Sequence, residues 1–224
     1  MKLTKIAAAT ALSALALSPL LGHAESNFGT GATAGTTATP LTARLDFSIT
    51  IPRVIYLQVS TGTISAVNTT IDLLSFAPAA ASVGNGTAVV GTGGDQAAGA
   101  VTIRTYGNNG NITLNSTTTG PLTNGVATQT IPWSAITVAA GALAATTAGY
   151  TNAAITHPAF NLAAAGGAGT ATTLTATNNV VRQEGKWTYS YANTALPAAG
   201  TYGGAGTLAA GVNNGRVSYT VAMP

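Results

Sequence analysis

His157, the carboxylates Asp46, Asp72, Asp95 and Glu184, and the alternating aromatics Trp187, Tyr189 and Tyr191 are the side chains with which this chain could do chemistry. A serine triad would have to use His157, with one of those acids and a serine. The G-x-S-x-G nucleophile turn is absent, and His157 precedes Pro158 in an alanine-rich stretch. No two of these carboxylates lie close together in sequence, so no acid/base pair is written into it. An enzyme is not expected. Zinc needs several His or Cys ligands, and the chain has no cysteine and only two histidines, His23 and His157. Calcium could use Asp95 after Gly91-Thr92-Gly93-Gly94, but a glycine turn ending on a turn-stabilising aspartate is the simpler reading. No cofactor or metal is expected. Trp187, Tyr189 and Tyr191 at a period of two should fill the inner face of a sheet. The alternative is an exposed aromatic platform on which sugars stack.

The charge balance points first to a basic partner and then away from it. The 224 residues include 8 Lys+Arg against 5 Asp+Glu, a formal charge of +3. Residues 1–24 read as a secretory signal: Lys2 and Lys5, then an apolar run, then Ser18-Pro19 before Gly22-His23-Ala24. Cleavage there removes both lysines and His23, and leaves six bases against five acids. Nucleic acid is therefore not an expected partner. No later apolar run approaches the roughly 20 residues of a membrane helix, so no membrane span is expected after signal cleavage. The aromatic residues are too few for the two girdles of an outer-membrane barrel.

The elements that must position these residues read as strands. Residues 25–40 are rich in Gly, Thr and Ala, and are expected to form a flexible arm. Leu41, Ala43, Leu45, Phe47, Ile49 and Ile51 then alternate with Thr42, Arg44, Asp46, Ser48 and Thr50, the strongest strand pattern in the chain. Pro52 interrupts it, and residues 54–59 resume as a second extended run. Further strands are expected at 71–76, 101–106, 112–114, 131–138, 171–177, 187–191 and 217–223. Gly107-Asn108-Asn109-Gly110 suits a tight hairpin between two of them. Residues 139–147 and 161–169 lack an amphipathic stripe and read as loops. The expected fold is all-β: one antiparallel β-sandwich domain over residues 41–224, with roughly eight to ten strands.

Two C-terminal pieces, Pro197-Ala198-Ala199-Gly200-Thr201-Tyr202 and Arg216-Val217-Ser218-Tyr219-Thr220-Val221, resemble the closing strands of secreted bacterial Ig-like β-sandwiches, fimbrial subunits and spore-coat-U-like surface proteins among them. The resemblance covers about 30 residues. The chain differs in inserting residues 203–215 between the two pieces and in having no cysteine. The resemblance implies a non-enzymatic subunit that exchanges β-strands with its neighbours. A second argument is independent of it. Few charges guard the sheet edges, and a low net charge favours association. The arm followed by residues 41–51 suits addition to a neighbour's edge. The same residues suit equally the first strand of the chain's own sandwich. The expected function is that of an exported surface or filament subunit whose partner is itself. The alternative is a monomeric module that binds surface glycans or another ligand.

Overall fold

Gly107-Asn108-Asn109-Gly110 does not close a hairpin; it carries the chain from one sheet to the other. The computed structural model describes residues 25–204 and 215–224. The signal expected at 1–24, and most of the insertion at 203–215, lie outside them. Twelve strands occur among the described residues. In chain order they are β1 (Ile55–Val59), β2 (Val89–Val90), β3 (Ala100–Gly107), β4 (Ile112–Thr118), β5 (Leu122–Thr123) and β6 (Thr130–Ile131). There follow β7 (Ile136–Gly141), β8 (Thr151–Asn152), β9 (Gly167–Ala168), β10 (Thr172–Leu174), β11 (Val181–Tyr191) and β12 (Val217–Ala222). Among the described residues helix is confined to two single 3-10 turns, Ala80–Ser82 and Trp133–Ala135. The protein is an all-β sandwich. Its pairings are antiparallel except that of β8 with β11.

The larger sheet is built on β11. One edge of β11 pairs with β3 through residues 181–188 and then with β2, and β3 in turn carries β1. Residues 183–184 and 186–191 of β11 also pair with β8 and β7. Gly185 sits between those two pairings. A Cβ there would lie 2.3 Å from the Ala153 carbonyl oxygen and 2.9 Å from that of Gly141, so only glycine fits. The smaller sheet centres on β4, which pairs with β12 and with β10 and β9. Between the sheets pack Val101, Ile103, Trp187 and Tyr189 from one side and Ile112, Leu114 and Leu174 from the other. Period-two alternation makes this possible, because each strand turns every second side chain inward.

The asparagines of the inter-sheet loop serve the chain outside it. Asn108 accepts from Val54 N–H at 2.8 Å and donates to the Pro52 carbonyl at 2.8 Å, which sets the entry to β1. Asn109 donates to the Pro224 carbonyl, and Gly110 N–H donates to the Asn179 carbonyl. Neither asparagine takes a positive φ, whereas Gly110 does at 94°. These side chains are spent on tying distant segments, not on a two-residue turn.

Residues 41–51 are in no strand. The chain divides into two compact units at Ile51/Pro52, and all twelve strands lie in the unit Pro52–Pro224. The physical reason is that a strand needs a ladder, and among the described residues none pairs with 41–51. Within the N-terminal segment, residues 31–39 turn twice, with Ala34 N–H bonded to the Gly31 carbonyl and Thr39 N–H to that of Thr36. Arg44 there pairs with Glu25 at 2.7 Å. The strand expected at 71–76 is also absent, and only Ser75 bridges to Thr92. The loop reading of 139–147 is overturned in its first part, since β7 continues through Gly141 along β11.

Candidate assembly interface

The alternating residues of 41–51 are all exposed. Phe47 is 85% and Ile49 is 87% exposed, and Leu41, Leu45 and Ile51 are likewise open. Burying one such side chain is worth roughly 1.5–3 kcal/mol, so a contiguous uncovered row is an unusual cost. From residue 41 to residue 54 no residue takes a positive φ and none lies in a turn.

The compact unit has backbone groups that no strand pairs among the described residues. In the run containing β1, Ser60 N–H donates to the Thr102 carbonyl and Asn108 N–H to that of Val54. Even-numbered residues therefore face β3, and Ile55, Leu57 and Val59 turn their peptide groups to the open side. The same parity holds in β12. Gly169 N–H donates to the Ser116 carbonyl, so Ser116 faces away from β12 and its partner Tyr219 has no ladder bond to it. Val217, Tyr219 and Val221 thus point their side chains to the core and their peptide groups outward. Met223 continues the pattern, with its carbonyl taken by Arg53 at 2.8 Å. No charged residue, proline or bulge guards Val217–Ala222.

The sequence-singled chemical residues fall into the core or into turns. Trp187, Tyr189 and Tyr191 are buried at 0%, 7% and 7% exposure, so they are no surface platform. Trp187 donates its indole N–H to the Ile155 carbonyl at 2.7 Å. His157 stands edge-on to Trp187 and Phe160, 4.6 and 4.7 Å between ring centres. Its Nε2 lies 2.7 Å from the Tyr219 hydroxyl, which lies 2.9 Å from that of Tyr189. Burial among these rings pulls the His157 pKa down to about 4, against a backbone hydrogen bond at Pro158 that acts the other way. The imidazole is neutral at pH 7, and it packs against rings and a hydroxyl. Asp95 is occupied by protein donors. Its Oδ1 accepts from Thr102 N–H at 2.8 Å, and its Oδ2 from the Thr102 hydroxyl at 2.5 Å. That geometry holds the glycine turn closed on β3. Among the described residues no three His, Cys, Asp or Glu gather where a metal could bind, and no helix is long and apolar enough to cross a membrane.

Sequence reasoning missed a polar cluster on the outer face of the larger sheet. Cross-strand register aligns Gln58, Arg104 and Glu184. Arg104 donates to Glu184 at 2.8 Å, to Gln58 at 2.8 Å and to the Thr147 hydroxyl at 3.0 Å. Burial pushes the Glu184 carboxyl up, but Thr147 and Arg104 outweigh it and hold it below the ordinary carboxylate range. Beside this cluster Tyr56 and Tyr106 stack at 5.2 Å, both half-buried. No protein-family profile, curated protein or solved structure matches the chain.

Proposed function

We propose that the protein is the subunit of a self-assembling surface or extracellular filament, joined by addition of residues 41–51 of one copy to a sheet of the next. The observation that carries this is the exposed, alternating row Leu41, Ala43, Leu45, Phe47, Ile49 and Ile51, which has the chain's best strand pattern and no ladder among the described residues. Main-chain hydrogen bonds would supply the affinity, and the apolar row would supply the register, since a one-residue slip turns every side chain to the wrong face. Export, as the signal-like residues 1–24 suggest, places such a subunit where filaments form. The test is size-exclusion chromatography and electron microscopy of the full chain beside a variant lacking residues 41–51. The full chain is expected to form large oligomers or filaments and the deletion to remain monomeric. Equal assembly of the two would overturn the reading.

A second reading, glycan binding by a monomer, loses Trp187, Tyr189 and Tyr191 to the core. It would rest on the half-buried Tyr56–Tyr106 stack, and glycan-array binding that fails on Tyr106→Ala would favour it.

A further inference from the structure

The outer face of the larger sheet sets an exposed cation with no acidic partner among the described residues, Arg182, beside a pair of stacked tyrosines. We infer that this face binds an acidic saccharide, Arg182 taking a sugar carboxylate while Tyr56 and Tyr106 pack against the sugar ring. The site lies wholly within residues 52–224 and is separate from strand exchange. It rests on the glycan-binding reading above and gives that reading a ligand class.

Register brings the parts together. Tyr56 pairs with Tyr106, and Tyr106 with Arg182, so the three form one row across β1, β3 and β11. Two strand spacings make that row about 10 Å long, within the reach of a disaccharide. The tyrosine hydroxyls are held by the loop after β1: Tyr56 donates to the Thr63 carbonyl, and Tyr106 shares a hydrogen bond with the Ser65 hydroxyl. The rings are therefore positioned in advance of a ligand. Arg182 is placed too, with its guanidinium over the Tyr150 ring, 4.7 Å from the centroid. Gly149, at a φ of 79°, leaves it room, since a Cβ there would lie 2.8 Å from a guanidinium nitrogen. In the next row Arg104 and Glu184 neutralise each other. Glu184 is also fully buried, so it offers little repulsion to an incoming carboxylate.

Tyr150 supplies an independent sign. It is 7% exposed, and its hydroxyl has no hydrogen-bond partner. Burial raises its pKa and the nearby Arg182 works against that, yet no hydrogen bond forms at the hydroxyl. An enclosed polar group with no partner in the protein points to one supplied from outside. Since Arg182 lies over this ring, that group belongs to the same site. The surroundings favour a sugar over a nucleic acid. A cleft of about 90 Å³ beside Tyr56 is lined by Gln58, Thr61, Asn68 and Thr70, whose amides and hydroxyls suit sugar hydroxyls. A nucleic acid would want a run of cations along its backbone, and the row has one.

The test is isothermal titration calorimetry of the full chain with a galacturonic acid trisaccharide, a neutral galactose trisaccharide and a single-stranded oligothymidylate. The acidic sugar is expected to bind about tenfold or more tighter than the neutral one, and the oligothymidylate not to bind. Arg182→Gln should bring the acidic sugar level with the neutral one. Lys186→Gln removes another cation from the same face of β11 and should change the affinity less than about twofold. Tyr150→Phe should weaken binding about threefold or more with no loss of stability in urea, a pair of results that a purely structural hydroxyl would not give. Equal losses in Arg182→Gln and Lys186→Gln would overturn the site in favour of attraction by net charge. Oligothymidylate binding that depends on Arg182 would overturn the sugar assignment. Equal binding of both sugars that still fails on Tyr106→Ala would overturn the acidic class and leave glycan binding standing. Binding of neither sugar would overturn both.

Discussion

Residues 41–51 and β11 are each eleven residues long, and 41–51 and the aromatic half of β11 alternate apolar with polar side chains, yet one is bare and the other carries the buried Trp187, Tyr189 and Tyr191. β11 has neighbours along both of its edges: β3 and β2, β7 and β8. The difference teaches that alternation tells a segment which side to turn inward, but not whether it has anything to turn toward. That second condition is set by distant sequence. β11 finds its partners in residues 89–107 and 136–152, whereas 41–51 finds none among the described residues.

The comparison can be broken most severely at Trp187. Trp187→Ala leaves a large cavity and strips the Ile155 carbonyl of its donor. A loss of about 4 kcal/mol in urea unfolding is expected. A loss below about 1 kcal/mol would mean that β11 is not the keystone of the core.

A smaller effect comes from acid. His157 is held at a pKa of about 4 in the fold against about 6.5 when unfolded. Its folded pKa is depressed, so the unfolded chain binds the proton more readily. The stability it contributes is full above pH 6.5 and is lost as pH falls from about 6.5 to about 4. The expected loss is about 2–3 kcal/mol. Glu184, also depressed in the fold, adds its own loss once pH falls through the ordinary glutamate range at the acid end of that window. His157→Phe should flatten the dependence between pH 6.5 and 4 and leave the steeper fall beneath it. Unchanged pH dependence in that variant would show that His157 is not the titrating group.

The smallest effect on stability is expected on the bare side of the comparison. Phe47→Asp with Ile49→Asp should change the unfolding free energy of the monomer by less than about 0.5 kcal/mol, because neither side chain is buried there. The same pair should abolish large oligomers in sedimentation. A destabilised monomer would place these residues in the chain's own core.

Much of the fold was legible because its longest strands alternate cleanly: β12, the aromatic half of β11, and the stretch around Ile103. Legibility failed where geometry is set by partners. Ile71, Leu73, Leu74 and Phe76 look like a strand, but only Ser75 meets a neighbour. Gly107-Asn108-Asn109-Gly110 carries hairpin residues, and its side chains are drawn off to Pro52, Val54 and Pro224. Arg104 and Glu184 are 80 positions apart, so their pairing has no local signature. The alternation at 41–51 was legible in the sequence, but it forms no ladder among the described residues.

The Asn108–Asn109 loop also has a mechanical meaning. It grips the chain at Pro52 and Val54 and again at Pro224, so both ends of the compact unit are fastened to one point. A pull applied between those ends would load a few side-chain hydrogen bonds at that loop in shear, and would bypass the layered interior around Trp187.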